Sequence, residues 1–317
     1  MHLVESMAYK GQTPWHGLGN SLGKHQPIEV WRRQAGMEWE IKESEVRYTA
    51  QGHGSNGTSA FPEQKVLYRS DTQAPLAVVS RRFQVVQPGE ILEFYRDLTA
   101  NNGFELETAG VLKEGRKFWA LARTGQSTVL RGRDRVDGYL LLATACDGTL
   151  ATTAQFTSIR VVCNNTLAVA LGDSDGAIKV PHRSHFDPDL VKRQLGVAVS
   201  AWGGFVDRMK ALCESPVDPD AAEALLRRVL TYATPDMAQV VNEQAAAKVR
   251  ALYEGDGRGS KLASSRATAW GLLNAITEHV DHHRRARSDD HRRDAAWFGQ
   301  GAKIKQRAWD EVMGMVA

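Results

Sequence analysis

Arginines and aromatic side chains alternate through the middle of this chain. Arg81 and Arg82 precede Phe83, Arg116 and Lys117 precede Phe118 and Trp119, and Phe156 stands just before Arg160. Arg131, Arg133 and Arg135 share one short connection relieved only by Asp134, and Arg183 follows in a polar stretch. Cations that track phosphates, beside flat rings that stack bases without demanding a sequence, suit a single-stranded nucleic acid. A stacked base gains about 1–3 kcal/mol. The candidate phosphate contacts are therefore Arg81, Arg82, Arg116, Lys117, Arg131, Arg133, Arg135, Arg160 and Arg183, with Trp119 and Phe156 as stacking faces. The opposing reading puts Phe118, Trp119 and Phe156 in a core, with the arginines solvating the other face.

QFTSIRVVCNNTLAVAL, residues 155–171, sets Cys163, Asn164, Asn165 and Thr166 between two apolar runs. Asparagine and threonine compete for backbone groups at element ends, so the spacing predicts a strand-to-helix junction with a capped helix over TLAVALG. Amide donors at such a junction, beside Arg160, also suit a phosphate, which adds Asn164 and Asn165 to the candidate contacts. Cys163, next to Val162, reads as a buried thiol rather than a nucleophile. His279, His282 and His283 fall within one helical turn with His291 beyond, yet no HExxH pattern or neighbouring cysteine accompanies them. Asp147 reads as turn chemistry, and Glu105 and Glu107 as the solvent face of a strand. The chain has no P-loop, no GxSxG elbow and no GxGxxG after a strand. No cofactor and no resident metal are expected.

The elements that must position these groups follow from periodicity. The Gly- and Pro-rich first thirty residues read as an arm or packed coil. A short helix follows Pro27, EWEIKESEVRYTA alternates as a strand, and QGHGSNGTSAFPEQ reads as a loop. KVLYRSD and LAVVSRRFQVV form a hairpin, and Pro88-Gly89-Glu90 opens a helix that Asn101-Asn102-Gly103 closes. Residues 103–162 read as a meander of at least four strands, with a turn at Asp147-Gly148. From Asp187 onward helices dominate: a long apolar one through 190–212, then AAEALLRRVLTYA, MAQVVNEQAAAKVRALYEG, a helix from SSRATAWGLL that turns polar, and IKQRAWDEVMGM. The expected fold is α+β, an antiparallel meander packed with helices and followed by a helical region, divided as 1–60, 61–186 and 187–317.

A formal net charge of +3 over 317 residues is too mild to specify a polyanion partner by itself. Three scattered cysteines, with no pair at metal or redox spacing, argue against a disulfide framework, and no run approaches the roughly 20 apolar residues of a membrane span. The first residues lack the plan of a signal peptide. These features lead to the expectation of a cytoplasmic protein with no membrane partner.

Whole-chain patterning adds a resemblance. PWHGLG at 14–19, VVSRRFQVVQPGEIL at 78–92, FTSIRVVCNNTL at 156–167, TAWGLLNAITEHVDH and FGQGAKIKQRAW resemble the phage/plasmid-like family called domain of unknown function 932. That resemblance implies mobile-element DNA metabolism in a bacterial host and carries no catalytic residues. The order helix, meander, helix is also similar to single-strand annealing proteins of the Rad fifty-two type. Together these give the expectation of a single-stranded DNA binding and annealing protein that forms a homo-oligomer, such as a ring. The alternatives are a metal-dependent nuclease and a non-catalytic, anti-defence interaction factor.

Overall fold

A computed structural model of the chain describes residues 4–11, 19–49, 57–160, 162, 165–168, 177–200, 202–233, 236 and 238–316. The elements run β1 (Val4–Lys10), β2 (Asn20–Leu22), α1 (Ile28–Gln34), β3 (Ile41–Thr49), β4 (Thr58–Arg69), β5 (Pro75–Ser80), α2 (Pro88–Glu93), α3 (Arg96–Asn101), β6 (Glu105–Leu112), β7 (Lys117–Leu130), β8 (Asp134–Ala145), β9 (Thr152–Arg160), β10 (Asn165–Ala168) and β11 (Ala177–Val180). The second half holds α4 (Pro188–Ser200), α5 (Trp202–Glu214), α6 (Pro219–Val229), β12 (Thr231–Ala233), β13 (Gln239–Val241), α7 (Glu243–Ala251), α8 (Ala269–Glu278), α9 (Asp289–Phe298) and α10 (Gln300–Gly314). The fold is α+β, as expected.

Alternation builds the large sheet, ordered β10-β9-β8-β7-β6-β1-β2, with β11 also on β9. Along β7, Phe118, Ala120 and Ala122 point into the main core, while Trp119 and Leu121 point to the opposite face. The same split runs along β8, with Leu140 and Leu142 on one side and Tyr139 and Leu141 on the other. A period of two allows nothing else. The core face is covered by α2, α3, α5, α8 and α10 through residues such as Ile91, Phe205, Leu272, Ile276 and Trp309. Tyr95, fully buried between α2 and α3, brings its hydroxyl within hydrogen-bonding distance of the carbonyls of Ala120 (3.0 Å) and Leu140 (2.9 Å).

Several expectations need correction. The opening segment is no arm: β1 pairs antiparallel with β6 and parallel with β2, which makes the sheet mixed. Its alternation of Met7 and Tyr9 against Ala8 was masked by the glycines and prolines that follow. Residues 58–64, read as loop, belong to β4, whose far end pairs with β3 in a ribbon exposed on both faces. MAQVV does not start a helix, since Gln239–Val241 pairs with β12. The junction after Arg160 is a hairpin, with β10 antiparallel to β9 through Asn165↔Arg160 and Leu167↔Ser158. Thr166 caps no helix; its amide and hydroxyl both donate to Asp281 Oδ2, at 2.8 and 3.1 Å. The rest of the helix read over 166–172, Cys163, Asn164 and the stretches 12–18 and 50–56 lie outside the described residues.

Two buried ion pairs, Arg160–Asp134 within the sheet and Lys305–Asp281 within the helical region, are hydrogen-bonded across to the other layer. Asp134 accepts from Arg160 Nε and Nη2 (both 2.7 Å), Ser264 Oγ (2.7 Å) and Trp270 Nε1 (2.9 Å). Asp281 Oδ1 accepts from Lys305 Nζ at 2.8 Å, and Lys305 also donates to Thr166 Oγ1 at 2.6 Å.

His279 opens a π-helical turn, His279–His283, behind α8. Burial first, then His283, Arg284 and Lys248, lowers its pKa from 6.5 to about 4. Folded, the imidazole stays neutral; unfolded, it takes a proton near the ordinary value. The unfolded chain therefore binds more protons as pH falls through that window, and stability drops with it. The expected loss through this group is about 2 kcal/mol by about pH 5, read from urea midpoints. His279→Leu is expected to flatten the slope between pH 6.5 and 5, and an unchanged slope would assign it to other groups.

Candidate functional site

The second face of the sheet is not fully covered. α9 crosses above it and encloses a cleft of about 930 Å³, floored by β1, β6, β7, β8 and β9. One end is apolar. There Met7, Leu112, Trp119, Leu121 and Leu141 meet Trp297 and Phe298 of α9, whose rings are half-buried and 6.0 Å apart. Gly110 lies opposite Trp119 in the ladder, and a Cβ there would sit 2.4 Å from the indole. A glycine is what lets the ring lie across β6.

The other end is polar and built across three neighbouring strands. Tyr139 donates its hydroxyl to Glu107 Oε2 (2.9 Å), and Arg123 Nη2 donates to the tyrosine oxygen (3.0 Å) and to Glu107 Oε2 (3.2 Å). Asp137, buried, accepts from Arg135 Nε at 2.7 Å and lies 3.8 Å from Arg123 Nη1. Lys10 pairs with Glu105 beside them. Burial first, then the Glu107 charge, raises the Tyr139 pKa above that of a free phenol, so its hydroxyl remains a donor. Six cationic and six carboxylate residues line the whole cleft, so its walls are close to neutral.

The residues expected to bind nucleic acid divide sharply. Arg160 is 3% exposed and held by the 1% exposed Asp134, so it faces no phosphate. Phe156, 1% exposed, packs its ring 5.9 Å from Trp202 in the main core, where no base can stack. Lys117, 3% exposed, pairs with Asp294 of α9 and sits 4.9 Å from the Phe298 ring. These three are corrections with one cause: each lies where the sheet meets another layer. Trp119 does face the cleft, as its floor rather than as a free ring. Asn164 lies outside the described residues, and for Asn165 only the backbone, paired in β10, is described.

The remaining arginines form two groups, one where the turn after β5 of the three-stranded β3-β4-β5 sheet meets the β11 end of the large sheet, and one at the opposite end of the large sheet. Arg81 and Arg82 follow β5, and Arg183 follows β11. The two turns are clamped by Gln84 N donating to His182 O (2.6 Å) and by the stacked rings of Phe83 and His182 at 4.2 Å. All three arginines are exposed and none makes an ion pair among the described residues. Half-buried Arg116 belongs to the same end, through its carbonyl's bond to Cys146 N (2.9 Å). Arg131 and Arg133 occupy the β7–β8 turn at the far end, with Arg135 between them and the cleft. Along the 14 residues of β7 the two ends are about 45 Å apart.

Sequence reading missed Tyr139, Trp297 and Phe298, placed Glu107 on the solvent face of a strand, and noted Arg123 as a cation flanking Phe118 and Trp119 without counting it among the contacts. Arg123 lies four residues from Trp119 and therefore on the same strand face, a signal that was available. Trp297-Phe298 was another, as an aromatic pair in an otherwise charged helix. Among the described residues no group of three His, Cys, Asp or Glu side chains is placed to hold a metal ion. His291 instead bonds the capping residue Ser288, Nδ1 to Oγ, at 2.8 Å. Burial pushes the Cys146 and Cys213 thiols up to about 12, which leaves them protonated. No helix among the described residues is long and apolar enough to cross a membrane.

The model of the family described as domain of unknown function (DUF932) matches residues 75–297, more than two thirds of the chain. The chain belongs to that family. No curated protein and no solved structure matches it. The DUF932 match spans β5 through α9, and so includes the cleft floor except β1, the buried Arg160–Asp134 pair and both arginine-bearing turns. PWHGLG and the whole of FGQGAKIKQRAW fall outside it. The order of elements that resembles Rad fifty-two type proteins does not hold at the seam, where a strand stands in place of the helix.

Proposed function

We propose that this DUF932 protein binds single-stranded DNA, with bases held in the cleft under α9 and phosphates met at the arginine-bearing ends of the sheet. One observation carries the reading: half-buried aromatic rings, Trp297 and Phe298, line an open cleft on a sheet whose β11 end is clamped to the turn after β5, where Arg81, Arg82 and Arg183 are exposed and make no ion pair among the described residues. Near-neutral walls suit bases better than phosphates, and unpaired guanidiniums suit phosphates. This division relocates the site from the strand arginines to the cleft and its ends.

A fluorescent oligo-dT titrated against the protein over a salt series tests the reading. Three to five phosphate contacts predict a slope of log affinity on log salt of about −2 to −4. Replacing Arg81, Arg82 and Arg183 together by alanine is expected to flatten it by about 2, at about 0.7 per contact. Absence of binding at low salt would overturn the proposal, and an unchanged slope would remove the patch from it. Mixing complementary labelled strands with the same preparation measures annealing, and solution mass with and without the oligonucleotide measures self-association.

A further inference from the structure

The polar end of the cleft has more hydrogen-bonding capacity than it uses internally. Glu107 spends Oε2 on Tyr139 and Arg123, and its Oε1 accepts no hydrogen bond among the described residues. Arg123 spends Nη2 on the same pair and approaches Asp137 only at 3.8 Å, which leaves most of its fork unspent. Arg135, about half exposed, commits Nε to Asp137 and keeps its outer edge. A network that only neutralised itself would leave no such remainder. What is left over is one carboxylate oxygen beside guanidinium forks, held in place by a buried aspartate and a tyrosine hydroxyl that stays a donor. Preorganised groups of this kind lose little on binding.

We propose that Glu107 and Arg123 read the edge of a guanine base, which rests on the reading of the cleft as a single-stranded DNA site. Guanine presents two adjacent acceptors, O6 and N7, that match an arginine fork. Next to them it carries N1–H and N2–H donors that match a carboxylate oxygen. Adenine separates its acceptors by a donor, and thymine offers one donor between single acceptors. Cytosine has the next best complement but a smaller stacking face. Tyr139 acts as a positioning residue, since it fixes both partners without facing the ligand.

The test uses an oligo-dT host with one central dG, dA, dC or dT, titrated by anisotropy against the full chain. The dG guest is expected to bind about 5- to 150-fold more tightly than the dT host, the range of one good bidentate base contact. Glu107→Gln and, separately, Arg123→Lys are expected to shrink that preference to under about 3-fold, read as the ratio of dG-guest to dT-host affinity within each variant. Tyr139→Phe, which keeps the ring and loses the donor, is expected to weaken the preference without abolishing binding. Equal affinity for all four guests overturns the assignment, as does a dG preference that survives Glu107→Gln, and cleft binding stands in both cases. A preference for dC over dG replaces guanine with cytosine and overturns the stated class. Failure of every guest to bind the unsubstituted protein removes the cleft reading itself.

Discussion

Arg160→Ala is expected to lower the free energy of unfolding by about 3–5 kcal/mol, the usual cost of stripping one partner from a buried ion pair. The carboxylate left behind, Asp134, is 1% exposed and among the described residues would keep only Ser264 and Trp270 as donors. Two neutral hydrogen bonds do not replace a bidentate guanidinium in a site that water does not reach. The pair also joins β8 and β9 to the start of α8, so the sheet and the helical layer should loosen together. Urea denaturation followed by tryptophan fluorescence measures the loss. Arg160→Met with Asp134→Leu is expected to recover much of it, because removing both charges removes the uncompensated burial. A loss under about 1 kcal/mol for Arg160→Ala would mean that solvent reaches the site and that the arginine is free for a ligand after all.

Trp297→Ala combined with Phe298→Ala is expected to weaken oligo-dT binding by about 2–6 kcal/mol, from two stacking faces at about 1–3 kcal/mol each. That is a loss of roughly 30-fold at least. Both rings are half-buried at the apolar end of the cleft, and α9 is anchored there by Asp294 on Lys113 and Lys117 as well. The substitution should therefore leave α9 seated, which the circular dichroism spectrum and urea midpoint check. Affinity should fall at every salt concentration with the slope unchanged, because no phosphate contact is lost. A parallel fall in slope, or no fall in affinity, would move the bases out of the cleft.

The two outcomes separate roles that look alike in the sequence. Arg160, Arg81 and Arg183 are all arginines at the ends of β-type runs, and composition gives no reason to rank them. What distinguishes Arg160 is Asp134, its neighbour across the ladder region, together with Ser264 and Trp270 more than a hundred residues onward. What distinguishes Arg81, Arg82 and Arg183 is that two turns about a hundred residues apart are clamped together and that none of the three makes an ion pair among the described residues.

By itself the sequence determined the strands of the meander, most helices and the family resemblance. These rest on local periodicity and on capping and turn residues, and such signals are complete within a dozen neighbouring positions. It misjudged β1 and the seam, where Gly-rich flanks or a polar cluster interrupt the pattern and sheet pairing outweighs local propensity. Only the tertiary structure decided which charges are spent and which are free, and that a cleft exists at all. The cleft forms because Asp294, Trp297 and Phe298 return over a strand face laid down some 170 residues earlier. Desolvation and ion pairing depend on those long-range neighbours, which a reading of spacing along one chain does not contain.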